Sequence, residues 1–238
     1  MTTSDPGNVL PTAVTEAGPS AAYREVEQLL RGAGWTDCGA GDWAFALASP
    51  DGALAARISP FDPVGPYTAR LYERAAGTGL VPRMLLHHRL AGGADLLVME
   101  QLLPVGESDA HAFLAAFSRA EGELGALASM VQAIHAEARR ELYWCGPLDT
   151  NPSNIMRRPA GAGPRTRAVL TDPFYADGPN MYAMAEEDPD RFVTTLPAHE
   201  RQHLTEIPLA CSGPWPDEAR EALRARLLSA DQRAASRG

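Results

Sequence analysis

The chain has no lysine: all 21 of its basic residues are arginine. Every permanently charged side-chain cation it can bring to a site is therefore a planar, forked guanidinium. Basic charge is scarce overall, and the net charge of −9 argues against a nucleic-acid binder, which needs a basic patch. The same charge suits a cationic substrate or partner. Cysteine is scarce too. Cys38, Cys145 and Cys211 are far apart, odd in number and without CxxC spacing. That excludes a disulfide framework and a zinc site of the usual spacing, and makes a reducing cytosol the expected home. The six histidines include the adjacent pair His87-His88 but no HExxH, so a metal held by histidines is not expected. No GxxxxGK[ST] run occurs, which removes the P-loop enzymes. No basic segment leads into an apolar core at the start, so a signal peptide is not expected. No apolar run approaches the ~20 residues that span a bilayer, so no membrane partner is expected either.

What remains is an ordinary globular composition, 238 residues and 45% hydrophobic, which fits one large domain or two lobes. Residues 1–20, rich in Thr, Ser, Pro and Gly, read as a flexible arm. From Ala21 a helical period places Tyr23, Val26, Leu29 and Leu30 on one face, and Gly32 and Gly34 end it. The period then shortens to two. "DWAFALASPDGALAARISP" gives two strands around an SPDG turn. "PYTARLYERAAGTG" reads as a helix, and "RMLLHHRL" and "DLLVMEQLL" as two further strands around AGGA. The first half is thus β-β-α-β-β. The second half opens on a long helical stretch that Gly122 and Gly125 split or mark for close packing. His135 lies on it and reads as a packed or surface histidine. A hairpin follows, from "NIM" through "RRPAGAGPR" to "TRAVLTDPFY". A polar segment and a last helix, "PDEAREALRARLLSADQRA", complete the chain.

The stretch "LDTNPSNIMRR" sits between the long helical run and the hairpin. By composition alone it is a turn, since Asp, Asn, Pro and Ser are the commonest turn formers. In context it carries Asp149 and, five residues on, Asn154, while the strand "TRAVLTDPFY" ends in Asp172. These are hard-oxygen groups of the kind that hold magnesium and align a hydroxyl.

This order of elements and this Asp-Asn-Asp set resemble the protein-kinase-like superfamily, closest in style to aminoglycoside-phosphotransferase-like proteins and small bacterial kinases. The resemblance runs over residues 35–176. It implies an α+β, two-lobed protein-kinase-like fold. The arm is followed by an N-lobe over 21–104, an antiparallel sheet with one helix that binds nucleotide. A reduced, mostly helical C-lobe over 105–238 then carries the catalytic loop and the metal site. It implies ATP and Mg2+ as cofactors, Asp149 as base, and Asn154 and Asp172 as metal ligands. Gly39 and Gly41 in "CGAGDWAFAL" correspond to the glycine-rich loop over the phosphates, or else simply end the preceding helix. Arg57 stands where the family has lysine. Glu73 corresponds to the helix carboxylate that pairs with that cation, or is a solvated helix charge. Met99 lies behind the adenine, with backbone groups of Glu100 and Leu102 at its edge, unless "LLVMEQLL" is only a core strand.

The departures from the family pattern are specific. Arg57 replaces the lysine, Asn151 replaces the catalytic-loop lysine, and Pro147-Leu148 replaces the His-Arg or His-Gly before the catalytic Asp. Trp144 and Pro147 are expected to support the loop instead. "PAGAGP" reads as an insertion that lengthens the hairpin. Only about 66 residues follow Asp172, which implies a reduced substrate platform. "FYADGPNMYAMAEEDPDRF" is expected to line the acceptor site, and its cluster Glu186, Glu187, Asp188 and Asp190 either meets an amine or is a solvated loop. The leading expectation is transfer of the γ-phosphate to a hydroxyl of a small, cationic molecule. The alternatives are a peptide or protein Ser/Thr kinase, and a nucleotide-binding pseudokinase or scaffold without turnover.

Overall fold

The computed structural model describes residues 10–159, 168–206 and 216–236. The fold is α+β. Helices α1 (Thr12–Ala17) and α2 (Tyr23–Gly32) lead into strands β1 (Thr36–Ala40), β2 (Phe45–Ala48) and β3 (Leu54–Ser59). Helix α3 (Gly65–Ala75) separates these from β4 (Met84–Arg89) and β5 (Asp95–Glu100). The five strands make one antiparallel sheet in the order β1-β2-β3-β5-β4. A short strand β6 (Leu103–Pro104) then pairs with β7 (Ile155–Arg157), which pairs with β8 (Ala168–Leu170) in a second, three-stranded sheet. The rest is helical: α4 (Glu107–Ser118), α5 (Leu124–Glu141), α6 (Gly178–Glu187), α7 (Pro189–Thr195) and α8 (Asp217–Ala235). Among the described residues no helix is long and apolar enough to cross a membrane.

The two-residue period of the strands sorts their side chains between two cores. On β3, Leu54, Ala56 and Ile58 face the core that also holds Val26 and Leu30 of α2, together with Leu96 and Val98 of β5. The alternate residues of β5, Leu97 and Met99, face the other core, built largely from α3, α5, α6 and α8. Arg57 is paired with Leu97 and Ala55 with Met99 across the β3–β5 ladder. Arg57 and Met99 therefore share the face turned toward α3 and the second half of the chain. This is how a charged residue ends up inside an otherwise apolar strand.

Several expectations needed revision. The flexible arm does not hold for its described part. Thr12–Ala17 are helical and Val14 is buried in the α2 core; residues 1–9 lie outside the described residues. The glycine-rich stretch does not simply end the preceding helix: it forms a strand, β1, and a tight turn closed by Gly41 N–H on Ala44 O at 2.8 Å. The polar segment after Asp172 is helical. Asp177 and Asp188 cap α6 and α7 by accepting from Asn180 N and Arg191 N, each followed by a proline in the first turn. The long helical stretch does break, at Ala120 and Gly122, both at φ +52°. Gly125 packs so tightly that a Cβ there would lie 2.9 Å from Ala120 O. The "PAGAGP" insertion and Cys211 lie almost wholly outside the described residues.

Helix α3 starts on two buried carboxylates. Asp62 Oδ1 accepts from Val64 N and Gly65 N at 3.1 and 2.8 Å. The Asp95 carboxylate lies so close to Gly65 that a Cβ there would be 2.7 Å from it. Asp95 is also bonded to His87 Nε2 at 2.9 Å. Burial lowers the pKa of His87, but the bond to Asp95 and its charge outweigh burial, with Arg89 opposing and Glu73 adding, and the net direction is up. A cation favoured in the folded state contributes stability that is complete below the unfolded value, about 6.5, and is lost as pH rises through the folded value. The unfolding free energy is therefore expected to fall as pH rises above about 6.5 more steeply in the wild type than in His87→Gln. Urea unfolding across that range checks this; parallel slopes in the two proteins would refute it.

Candidate functional site

The stretch "LDTNPSN" is a turn, and a highly determined one. Asp149 Oδ1 accepts from Asn151 N at 2.8 Å. Asn151 Oδ1 in turn accepts from Ser153 N at 3.0 Å and from Ser153 Oγ at 2.9 Å, closing the 3₁₀ turn Pro152–Asn154. Asn151 thus has a capping task that a lysine could not perform, since only an oxygen acceptor fits it.

The turn is stitched to the segment that carries Asp172. Asp149 N donates to Pro173 O at 2.9 Å, Gly146 N to Tyr175 O at 3.0 Å, and Asp177 N to Trp144 O at 2.7 Å. Cys145 and Ala176 form an antiparallel bridge between these rungs. Asn154 Nδ2 donates to Asp172 O at 2.9 Å, and Thr171 N and Oγ1 both reach Asn154 O. Asp149, Asn154 and Asp172 are accordingly held on one ribbon. With Nδ2 of Asn154 committed to the ribbon, its Oδ1 has no protein partner among the described residues.

Arg57 meets this ribbon from β3. Its Nη1 bonds Asp62 Oδ2 at 2.9 Å and its Nη2 bonds Asp172 Oδ2 at 3.0 Å. The fork therefore spans two carboxylates, with one nitrogen committed to each. Partial desolvation in the cleft, followed by Asp62 and Asp149, pushes the Asp172 carboxyl above its ordinary value, with Arg57 and Thr68 pulling it back. Burial and the neighbouring Asp172 raise Tyr72 as well. These perturbations arise from a few groups converging at one end of a cleft of about 1020 Å³, a volume in the range of small-molecule sites.

The ribbon, β1–β3 and the β5–β6 connection line this cleft. At one end stand Asp149, Asn154, Asp172, Arg57 and Tyr175; at the other, Gly39, Ala46, Ala55, Met99, Leu102 and Met156. The second end is mostly apolar, with Cys38, Glu100 and Gln101 as its polar side chains. Trp43 in the β1–β2 turn packs against Phe61, 6.0 Å between rings. Trp43 also lies against Gly178, where a Cβ would sit 3.3 Å from its ring.

Most of the expected residues thus line the cleft: Asp149, Asn154, Asp172, Arg57, Gly39, Gly41, Met99, Glu100 and Leu102. Glu73 does not belong with them. It is exposed, and the partners of Arg57 are Asp62 and Asp172 instead. Helix α3 turns Thr68 and Tyr72, four residues apart, toward the site, and Glu73 lies a further 100° around the helix. For Glu100 the expected backbone contact narrows to its carbonyl. Its side chain is held by Arg158 and by Arg83 N, and its own N–H donates to Arg83 O at 3.0 Å. That N–H is spent, whereas the Leu102 N–H has no protein partner among the described residues. Loop support is also redistributed. Trp144 is fully buried against Phe192 and Tyr143, but Pro147 is exposed. His135 does what was expected of Pro147. Its Nε2 donates to Gly146 O at 2.8 Å while its ring stacks on Phe174.

One residue was missed. Asp62 had a legible signal, an Asp just ahead of a proline-started helix. His135 is packed, as one of its two expected readings had it, but its task in supporting the loop had no sequence signal. Among the described residues no group of three His, Cys, Asp or Glu side chains is arranged to hold a metal unaided. No protein-family model matches the chain, and no curated protein matches it either.

Proposed function

We propose that the protein is an ATP-dependent phosphotransferase acting on a hydroxyl, with a two-lobed protein-kinase-like arrangement. The reading rests on one observation above all. Asp149, Asn154 and Asp172 share a hydrogen-bonded ribbon that faces a cleft, and a cation, Arg57, reaches Asp172 from the opposite wall. The strand order β1-β2-β3-β5-β4, with one helix between β3 and β4, supports the fold part of the reading.

Phosphoryl transfer asks for charge neutralisation and alignment. In this reading the apolar end of the cleft takes the adenine, with the Leu102 N–H at its edge. Arg57 faces the phosphates. Asp149 accepts and orients the proton of the attacking hydroxyl. Asp172 supplies a carboxylate oxygen and Asn154 its unbonded Oδ1, a hard-oxygen pair that suits Mg2+ when the nucleotide brings the remaining oxygens. Bound Mg2+ neutralises phosphate charge there. The acceptor is a small molecule or peptide bearing a hydroxyl, and the cytosol is the proposed compartment. A second reading, a nucleotide-binding protein without turnover, is favoured by the two ion pairs that already occupy Arg57.

A thermal-shift titration tests the proposal. Ligand at a hundredfold excess over Kd stabilises by about 2.7 kcal/mol, a shift of about 5–10 °C for a protein of this size. ATP with Mg2+ is expected to exceed ATP with a chelator. Asp172→Ala should remove that metal-dependent increment, and Asn154→Ala should reduce it less, because a neutral amide oxygen attracts the ion more weakly. An increment that survives Asp172→Ala intact would sink the metal assignment, and no shift with ATP at all would sink the proposal.

A further inference from the structure

We infer that Asp62 is the positioning residue that holds Arg57 ready for the phosphates of a bound nucleotide. The inference rests on the phosphotransfer reading above and extends it to a residue that reading does not use. Asp62 is 3% exposed and every one of its polar atoms is engaged. Its N–H donates to Gly93 O at 3.1 Å, and its carbonyl accepts from Arg89 Nη1 at 2.5 Å. One carboxylate oxygen takes the two N–H groups that open α3, and the other takes Arg57.

A helix cap needs only one side-chain oxygen, so serine or asparagine would serve it. The second oxygen of Asp62 has a separate task. Arg57 is drawn by two carboxylates, one at each arm of its fork. Asp172 keeps 33% of its side-chain exposure and stands at the open cleft, whereas Asp62 sits fixed at the back. Without Asp62 the guanidinium would settle wholly on Asp172 and lose its set distance from the cleft. With Asp62 holding one arm, the other is free to exchange Asp172 for a phosphate oxygen without the side chain being re-aimed. No carboxylate on α3 competes for the task, because Glu73 points out to solvent.

The test compares ATP with adenosine, which shares the base and sugar but offers no phosphate to Arg57. Affinities of the full chain are measured by calorimetry with Mg2+ present, for wild type, Asp62→Asn, Asp62→Ser and Glu73→Gln. Asp62→Asn keeps the capping oxygen and turns a donor toward the guanidinium. It is expected to weaken ATP binding by about tenfold or more, the scale of one lost charge-assisted hydrogen bond. Adenosine binding should stay within about twofold of wild type, and Glu73→Gln should change neither. Asp62→Ser should act in the same direction as Asp62→Asn, and it decides the case if Asp62→Asn does not fold. A folded variant that keeps the wild-type ratio of ATP to adenosine affinity overturns the inference, as does failure of both variants to fold. Either result reduces Asp62 to a cap for α3. Wild-type protein that binds ATP no better than adenosine would instead overturn the phosphotransfer reading, and this inference with it.

Discussion

Asp149→Asn is expected to lower phosphate transfer by ~10²–10⁴-fold, the range for a positioned acid–base group, while ATP affinity stays within about threefold. The substitution is unusually clean in this loop. The carboxylate oxygen that closes the turn accepts from Asn151 N, and an asparagine oxygen accepts equally well. The ribbon is held through the backbone of Asp149, not its side chain. What the change removes is a negative charge and a proton acceptor facing the cleft. At 1.36 kcal/mol per tenfold, the loss corresponds to about 2.7–5.4 kcal/mol of transition-state stabilisation. The measurement is single-turnover transfer from labelled ATP. The acceptor is found first by screening hydroxyl-bearing amines, cationic antibiotics and peptides. Turnover that survives the substitution, under conditions where chemistry limits the rate, would return "LDTNPSN" to the status of a turn.

Gly93→Ala is expected to cost about 4 kcal/mol or more of stability, the range reserved for severe steric or backbone conflicts. Gly93 has φ +83°, and a Cβ there would sit 1.8 Å from Glu200 O. That atom belongs to backbone, so no rotamer change relieves the clash. The β4–β5 turn and the segment around Glu200 would have to separate, against the bonds that Arg89 makes to the Glu200 carboxylate. The damage would not stay local, since Gly93 O also accepts from Asp62 N. Gly77 provides the control. Nothing lies within 4 Å of a Cβ at Gly77 and its φ is not positive, so Gly77→Ala should stay within about 0.5 kcal/mol of wild type. Urea midpoints for the three proteins decide it. A Gly93→Ala midpoint equal to that of Gly77→Ala would mean that the two segments are not packed as described.

The parts of the fold that sequence periodicity revealed are those where burial alternates. β3 shows this well, with Leu54, Ala56 and Ile58 inward and Arg57 on the other face. β1 gave no such sign, because all five of its residues are exposed and only pairing with β2 makes it a strand. Helices α6 and α7 were hidden by their own start signals. Asp177-Gly178-Pro179 and Asp188-Pro189 are helix caps followed by a proline in the first turn, and Asp, Gly and Pro are equally the residues of loops. The candidate site divides in the same way. Asp149, Asn154 and Asp172 were legible as a set through the resemblance, because their order along the chain matches the family's motif, and the structure places all three on the cleft. The partner of Arg57 was not, because which carboxylate meets a distant guanidinium depends on the rotation of α3. A one-residue difference in helical position, Tyr72 against Glu73, turns a side chain by 100°.

The separation along the chain between Arg57 and the ribbon has a consequence for how the site assembles. The ribbon joins residues 144–149 to residues 173–177, so its rungs close over a span of the chain no longer than a hairpin and its flanks. Arg57 and Asp172 are 115 residues apart. Contacts between near neighbours form early and cheaply during folding, whereas distant ones wait for the chain to be gathered. The carboxylates can thus be in register before the guanidinium arrives, and the contact that offsets part of their negative charge is a long-range one. Competence is then a property of the finished tertiary structure and not of the loop that carries the recognisable residues.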